Sequence, residues 1–142
     1  MGSSSLKDID GLLSLLRDLS GEDVLEIGEV PDHVLSIWVG RHTNRVVITA
    51  ERRAHYLLSH PEVIAYEQDM LLAILDPDAV HRYEADAEVA NLYREVGDGR
   101  YIVVSLLTTS NPGLRNSVMS ARISRTRQRN SGIRKGLEVW KR

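Results

Sequence analysis

The stretch EVANLYREVGDGRYIVVSLLTT, residues 88–109, decides the fold. Two runs rich in β-branched and aromatic residues flank VGDGR (96–100). Two glycines around an aspartate are the signature of a tight hairpin turn. Within NLYREV (91–96), Leu92, Arg94 and Val96 fall on one face, and Asn91, Tyr93 and Glu95 on the other. An arginine alternating with apolar residues is either paired with a carboxylate or turned towards a cleft.

Outward from this hairpin, SNPG (110–113) reads as a second turn and SVMSARIS (117–124) as a further strand. Alternation there sets Val118, Ser120, Arg122 and Ser124 against Ser117, Met119, Ala121 and Ile123. Upstream, AVHRYEA (79–85) supplies another strand, which completes an antiparallel meander. The end of the chain, RTRQRNSGIRKGLEVWKR, reads as a basic loop followed by a short terminal element.

The first half has the other periodicity. LKDIDGLLSLLRDLS (6–20) carries Leu6, Ile9, Leu12, Leu13, Leu16 and Leu19 at helical spacing, with Gly21 as a stop. Residues 22–32 read as a short polar connector. HVLSIWVG (33–40) and NRVVIT (44–49) read as two strands of a hairpin with its loop at 40–44. Thr49 suits a helix N-cap, which predicts a helix from about 50 to 59. Pro61 keeps His60 out of the α region and can open a second helix, which DPD (76–78) stops. Helices followed by a meander give an α+β fold, with N-terminal helices packed on a twisted antiparallel sheet. Residues 1–21 read as an N-terminal extension and 22–142 as the main domain.

The chain has 142 residues, 42% of them hydrophobic and 27% charged, which is ordinary globular composition. It has no cysteine, which excludes disulfides and thiolate metal sites and agrees with a cytoplasmic location. No apolar run approaches a membrane span. Charge is unevenly placed. Residues 111–142 carry nine basic side chains against one carboxylate, Glu138, whereas residues 1–110 carry nine basic and nineteen acidic ones. A basic quarter on an acidic body points to a polyanion, or to pairing within the molecule.

Motifs for nucleotide triphosphates, dinucleotides and serine hydrolases are absent. His55 and His60 are five apart, about 140° of helix rotation, so they cannot form a same-face metal pair. Metal-free RNA cleavage needs a group to take the 2′-OH proton, one to protonate the leaving oxygen, and cations for the phosphate. Histidine and arginine suit these tasks.

The run VVITAERRAHYLLSHPEV (46–63), then ILDPDAVHR (74–82), NLYREV, YIVVSLL (101–107) and SVMSARIS resembles the barnase–EndoU–colicin–RelE-like (BECR) nucleases, in particular their phage- and toxin-associated branch. The resemblance covers about residues 44–124. It implies a metal-independent, toxin-type endoribonuclease without a cofactor, cleaving RNA (tRNA or mRNA) by 2′-OH attack, and an antitoxin- or immunity-type protein inhibitor. Carried over by position, His55 is the first-helix histidine and acid or base, and His60 belongs to the H-P-E step. Tyr93 and Arg94 form the Tyr-Arg pair, and Ser120 is the hydroxyl of a step that reads Ser-Ala-Arg (120–122) here. Arg94 and Arg122 would hold the phosphate, with Arg125, Arg127, Arg129 and Lys135 along the RNA. The rival expectations are a non-catalytic RNA-binding module on the same fold, or an interaction protein that docks through helix 6–20.

Overall fold

The alternating runs of the second half form the frame of a seven-stranded sheet. The computed structural model describes residues 8–35, 43–83, 85–109 and 114–142. The strands are β1 (Val24–Glu29), β2 (Arg45–Thr49), β3 (Ala79–Tyr83), β4 (Asp86–Gly97), β5 (Arg100–Leu107), β6 (Asn116–Arg125) and β7 (Glu138–Lys141). Their order across the sheet is β1-β2-β6-β5-β4-β3-β7. All neighbours are antiparallel except β2 and β6, which run parallel. The β4–β5 turn holds Gly97, Asp98 and Gly99 at φ 98°, 55° and 69°. Glycine and aspartate are the residues that tolerate this left-handed backbone.

The helices are α1 (Ile9–Arg17), α2 (Asp32–Leu35), α3 (Ala50–Ser59), α4 (Glu67–Leu75) and α5 (Thr126–Arg134), with a 3₁₀ helix at Pro61–Tyr66. The Thr49 hydroxyl accepts a hydrogen bond from the Arg52 amide and caps α3. Pro61 opens the 3₁₀ helix, and the chain passes from it into α4. This is the α+β arrangement expected. Among the described residues no helix is long and apolar enough to cross a membrane.

One face of the sheet carries the main core. Leu92, Ile102, Val104, Leu106, Val118 and Ala121 meet Tyr56, Met70, Leu71 and Ile74 there, and Leu16 of α1 joins them. α1 is therefore packed into the same core as the sheet. Val118 and Ala121 lie on one face because β6 carries an extra residue where Ser105 pairs with Ser120 but Leu106 pairs with Val118. Simple alternation had grouped Val118 with Ser120, and the bulge breaks that pattern.

Four sequence expectations are corrected. The strand paired with β2 on that side is β1, and residues 33–35, read as the start of its hairpin partner, are not in a strand. The VLEIGE segment alternates Leu25 and Ile27 inward, within a stretch read as a polar connector. Residues 32–35 are helical, with the Val34 amide bonded to the Pro31 carbonyl. The rest of the expected strand, at 36–40, and most of its loop lie outside the described residues, as does the SNPG turn. The basic C-terminal stretch is not a loop but α5, which leads into β7 on the far edge of the sheet.

A buried carboxylate ties the helices together. Glu67, the first residue of α4, has no solvent exposure. Arg53 of α3 donates to both of its oxygens at 2.8 Å, the Tyr56 hydroxyl donates to Oε2, and Arg17 of α1 donates at 3.5 Å. Burial by itself would raise the Glu67 pKa, but the hydrogen bonds from Arg53 and Tyr56 outweigh it and hold it below the usual carboxylate range. Breaking such a pair leaves an uncompensated charge, so Glu67→Ala is expected to destabilise the fold by about 3–5 kcal/mol, read from urea unfolding. Because the folded pKa is depressed, this contribution is complete above the unfolded value near 4.3 and is lost as pH falls from there through the folded value. Glu67→Gln is therefore expected to flatten the decline of stability as pH falls below about 4.3.

Candidate functional site

The second face of the sheet has a different character. Cross-strand partners share a face, so the register writes polar rows across it. One row runs His81, Asn91, Ser105, Ser120 over β3 to β6, and the next runs Ala79, Tyr93, Val103, Arg122. Ala79, Tyr93, Tyr101 and Val103 form a small second core on this side.

Two helices wall this face. β2 pairs with β6 only at Asn116 and Ser117, so among the described residues most of that edge of β6 has no strand beside it, and α3 lies along it. Arg53 and Tyr56, three apart on α3, reach the Glu67 carboxylate. Arg52 and His55, also three apart, form the neighbouring stripe and line the polar face. The second wall, α5, begins where Gln128 Oε1 accepts from the Ser124 hydroxyl at 2.7 Å and from the Arg125 amide at 2.9 Å.

Between the walls lie two adjoining hollows. The first, about 360 Å³, is lined by Arg52, His55, Val89, Ser105, Met119 and Ser120 together with Tyr83, Asn91 and Arg122. Those last three also line the second, about 180 Å³, which continues to His81, Tyr93, Ser124, Gln128, Gly132 and Lys135. The two form one cleft. No aspartate or glutamate is among the described residues that line it. A separate hollow beyond Arg52 and Met119 brings in Glu22 and Glu51, which bounds the cationic stretch on that side.

The floor is bonded in one direction. Arg122 Nη1 reaches the Ser105 hydroxyl at 3.5 Å, and that hydroxyl donates to Asn91 Oδ1 at 2.7 Å. Under α5, Arg129 donates to Glu138 Oε1 at 2.7 Å and to the Tyr101 hydroxyl at 3.1 Å. His81 Nε2 meets the same Glu138 oxygen at 3.3 Å. With its carboxylate facing Nε2, the imidazole carries its proton there, and Nδ1 faces Gly132. Burial pushes the His81 pKa below the ordinary histidine value, against the opposing pull of Glu138. Glu138 is desolvated too, yet Arg129 holds its carboxyl below the usual range.

The sequence-derived site residues divide accordingly. His55, Ser120 and Arg122 meet in the cleft, Tyr93 forms part of its buried floor, and Lys135 lines its far end. Arg94 does not join them. It shares the core face with Leu92, and its guanidinium donates to the Asp76 carbonyl at 2.6 Å and to the Asp76 carboxylate at 3.3 Å. The odd arginine of NLYREV is thus ion-paired at the end of α4. His60 sits between α3 and the 3₁₀ helix, 3.8 Å from Glu62, and lines neither hollow. Arg125 and Arg127 are exposed at the start of α5, whereas Arg129 is turned inward to Glu138.

Sequence reasoning passed over Arg52, His81, Tyr83 and Asn91. The alternation of AVHRYEA already set Ala79, His81 and Tyr83 on one face, and NLYREV set Asn91 beside Tyr93. Among the described residues no group of three or more histidine, aspartate or glutamate side chains is placed to hold a metal ion. No family model matches the chain, and neither a curated protein nor a solved structure does.

Gly132 explains how α5 comes so close. A β-carbon there would lie 2.7 Å from His81 Nδ1. Alanine normally gains about 0.5–1 kcal/mol over glycine inside a helix. Here overpacking against the ring costs about 1–3 kcal/mol and wins. Gly132→Ala is expected to lower the thermal midpoint, and Gly132→Ala with His81→Ala to recover part of it.

Proposed function

We propose that this cleft binds RNA and that the protein is a metal-independent ribonuclease of the barnase–EndoU–colicin–RelE-like type. The observation that carries the reading is the lining itself: Arg52, Arg122 and Lys135 with His55, and no carboxylate among the described lining residues. A phosphate backbone needs cations, and a guanidinium fork matches its oxygens. Imidazole titrates near neutrality and can move a proton in either direction. His55 takes the proton from the 2′-OH, the 2′ oxygen attacks phosphorus, and the bond to the 5′ oxygen breaks. The 5′ oxygen takes a proton from water, and the imidazolium gives up its own to solvent. Arg122 and Arg52 stabilise the pentacovalent phosphate, and Ser120 orients it. The products are a 2′,3′-cyclic phosphate and a 5′-hydroxyl. Arg94 takes no part, because it lies on the other face of the sheet.

A cleft of this charge also accommodates an acidic inhibitor protein that competes with RNA, in keeping with a cytoplasmic toxin-type role.

The test is cleavage of RNA in a chelator. Wild type is expected to yield cyclic-phosphate ends, and His55→Ala to lose about 10²–10⁴-fold in rate while still binding RNA. Equal rates, or intact RNA with wild type, overturn the catalytic assignment. Salt-sensitive binding without cleavage identifies a non-catalytic RNA-binding module instead. Arg122→Ala is expected to weaken binding and to reduce the slope of log affinity against log salt by about 0.7, the value of one single-strand phosphate contact. Arg94→Ala is expected to leave RNA affinity unchanged.

A further inference from the structure

The cleft holds two features that phosphate binding does not use. Tyr83 is 46% exposed although it lines both hollows. Its ring is partly open in a hollow that Arg52 and Arg122 also line. Asn91, only 7% exposed, lines both hollows beside it. Its carbonyl oxygen is engaged by the Ser105 hydroxyl, which faces Arg122 in turn. That chain fixes the orientation of the amide. The Asn91 Nδ2 donor has no hydrogen-bond partner among the described residues, and it is not among the sealed, unpartnered atoms, of which Arg129 Nε is the one found. Nδ2 therefore opens into the cleft.

A flat aromatic surface beside a fixed amide donor, flanked by arginines, fits a nucleobase turned out of its stack. Every base has a face that stacks on an aromatic ring and an edge with a hydrogen-bond acceptor. A paired base in an A-form duplex offers neither to a tyrosine in a cleft. We infer that Tyr83 and Asn91 form a base subsite, with Tyr83 stacking one unpaired nucleobase and Asn91 Nδ2 donating to its edge, so that the substrate is single-stranded RNA rather than duplex. This rests on the RNA reading above and specifies its substrate class. Tyr83 and Asn91 act in recognition, while His55 and the arginines handle the phosphate.

The experiment measures binding in the full-length His55→Ala background, so that the RNA stays intact. The probes are a labelled ten-nucleotide single strand carrying one 2-aminopurine and a blunt duplex of the same composition. The single strand is expected to bind more tightly than the duplex, and its 2-aminopurine to be quenched on binding. Tyr83→Ala is expected to weaken single-strand binding about 10-fold and to abolish the quench, with duplex binding unchanged. Tyr83→Phe, which keeps the ring, is expected to retain both. Asn91→Ser serves as a second variant, expected to weaken single-strand binding while keeping the quench. Single-strand binding and quench that survive Tyr83→Ala overturn the base subsite and leave the RNA reading standing, as does equal affinity for duplex. Loss of salt-sensitive binding to both probes in the parent protein overturns the RNA reading and the subsite with it.

Discussion

The Glu67 carboxylate is the constraint on which the rest depends. It is fully buried at the start of α4, and two further helices send donors to it: Arg17 from α1, Arg53 and Tyr56 from α3. A buried charge is tolerable only when its lone pairs are filled, so the three helices cannot shift independently. The consequence for the cleft is rotational. Arg53 and Tyr56 are one stripe of α3, and Arg52 and His55 are the next. Fixing the first stripe on Glu67 turns the second towards the polar face of the sheet. The position of His55 is set from the core, by its neighbours in sequence rather than by any bond of its own.

The charge asymmetry resolves residue by residue. Part of the basic C-terminal quarter is engaged with the acidic body. Arg142 bonds Asp76 at 2.6 Å and Asp78 at 3.1 Å, and Arg115 faces Glu26 at 3.6 Å. These pairs are partly exposed, so each contributes modestly; those of Arg142 fasten the end of β7 to the turn before β3, and that of Arg115 ties the start of β6 to β1. Arg129 is turned onto the quarter's single carboxylate, Glu138. Arg122 is different: its contact is the Ser105 hydroxyl, and its charge faces the cleft. A net count could not separate these, because the separation depends on which face of the sheet each side chain occupies.

What the sequence disclosed follows the same logic. Helices α3 and α4 and strands β3 to β6 were legible because their apolar residues recur at one period. β1 was obscured because Leu25 and Ile27 are only two inward positions, set among Glu22, Asp23, Glu26 and Glu29. α5 had no apolar stripe to find. Beyond the local Gln128 cap, it is held by Arg129 on Tyr101 and by Gly132 against His81, both contacts between distant residues. The site was half legible. His55, Ser120 and Arg122 share the cleft, but Arg94, carried over as the arginine of the Tyr-Arg pair, is the one paired with a carboxylate. Parity pointed to the other face of the same strand, where Asn91 and Tyr93 stand.

That face argues for function by its cost. A sheet covered on both sides reads as nearly continuous apolar strands. Here the row His81, Asn91, Ser105, Ser120 interrupts four adjacent strands at the same level. Replacing these residues with apolar ones would let α3 and α5 close over a second full core. Instead Asn91 and His81 are buried with hydrogen bonds that satisfy one side of each and direct the other, Asn91 Nδ2 into the cleft and His81 Nδ1 towards α5. Local choices that weaken packing without serving the fold are expected at functional sites. Four in one row, between α3 and α5, are the polar interruption on which the proposed cleft rests.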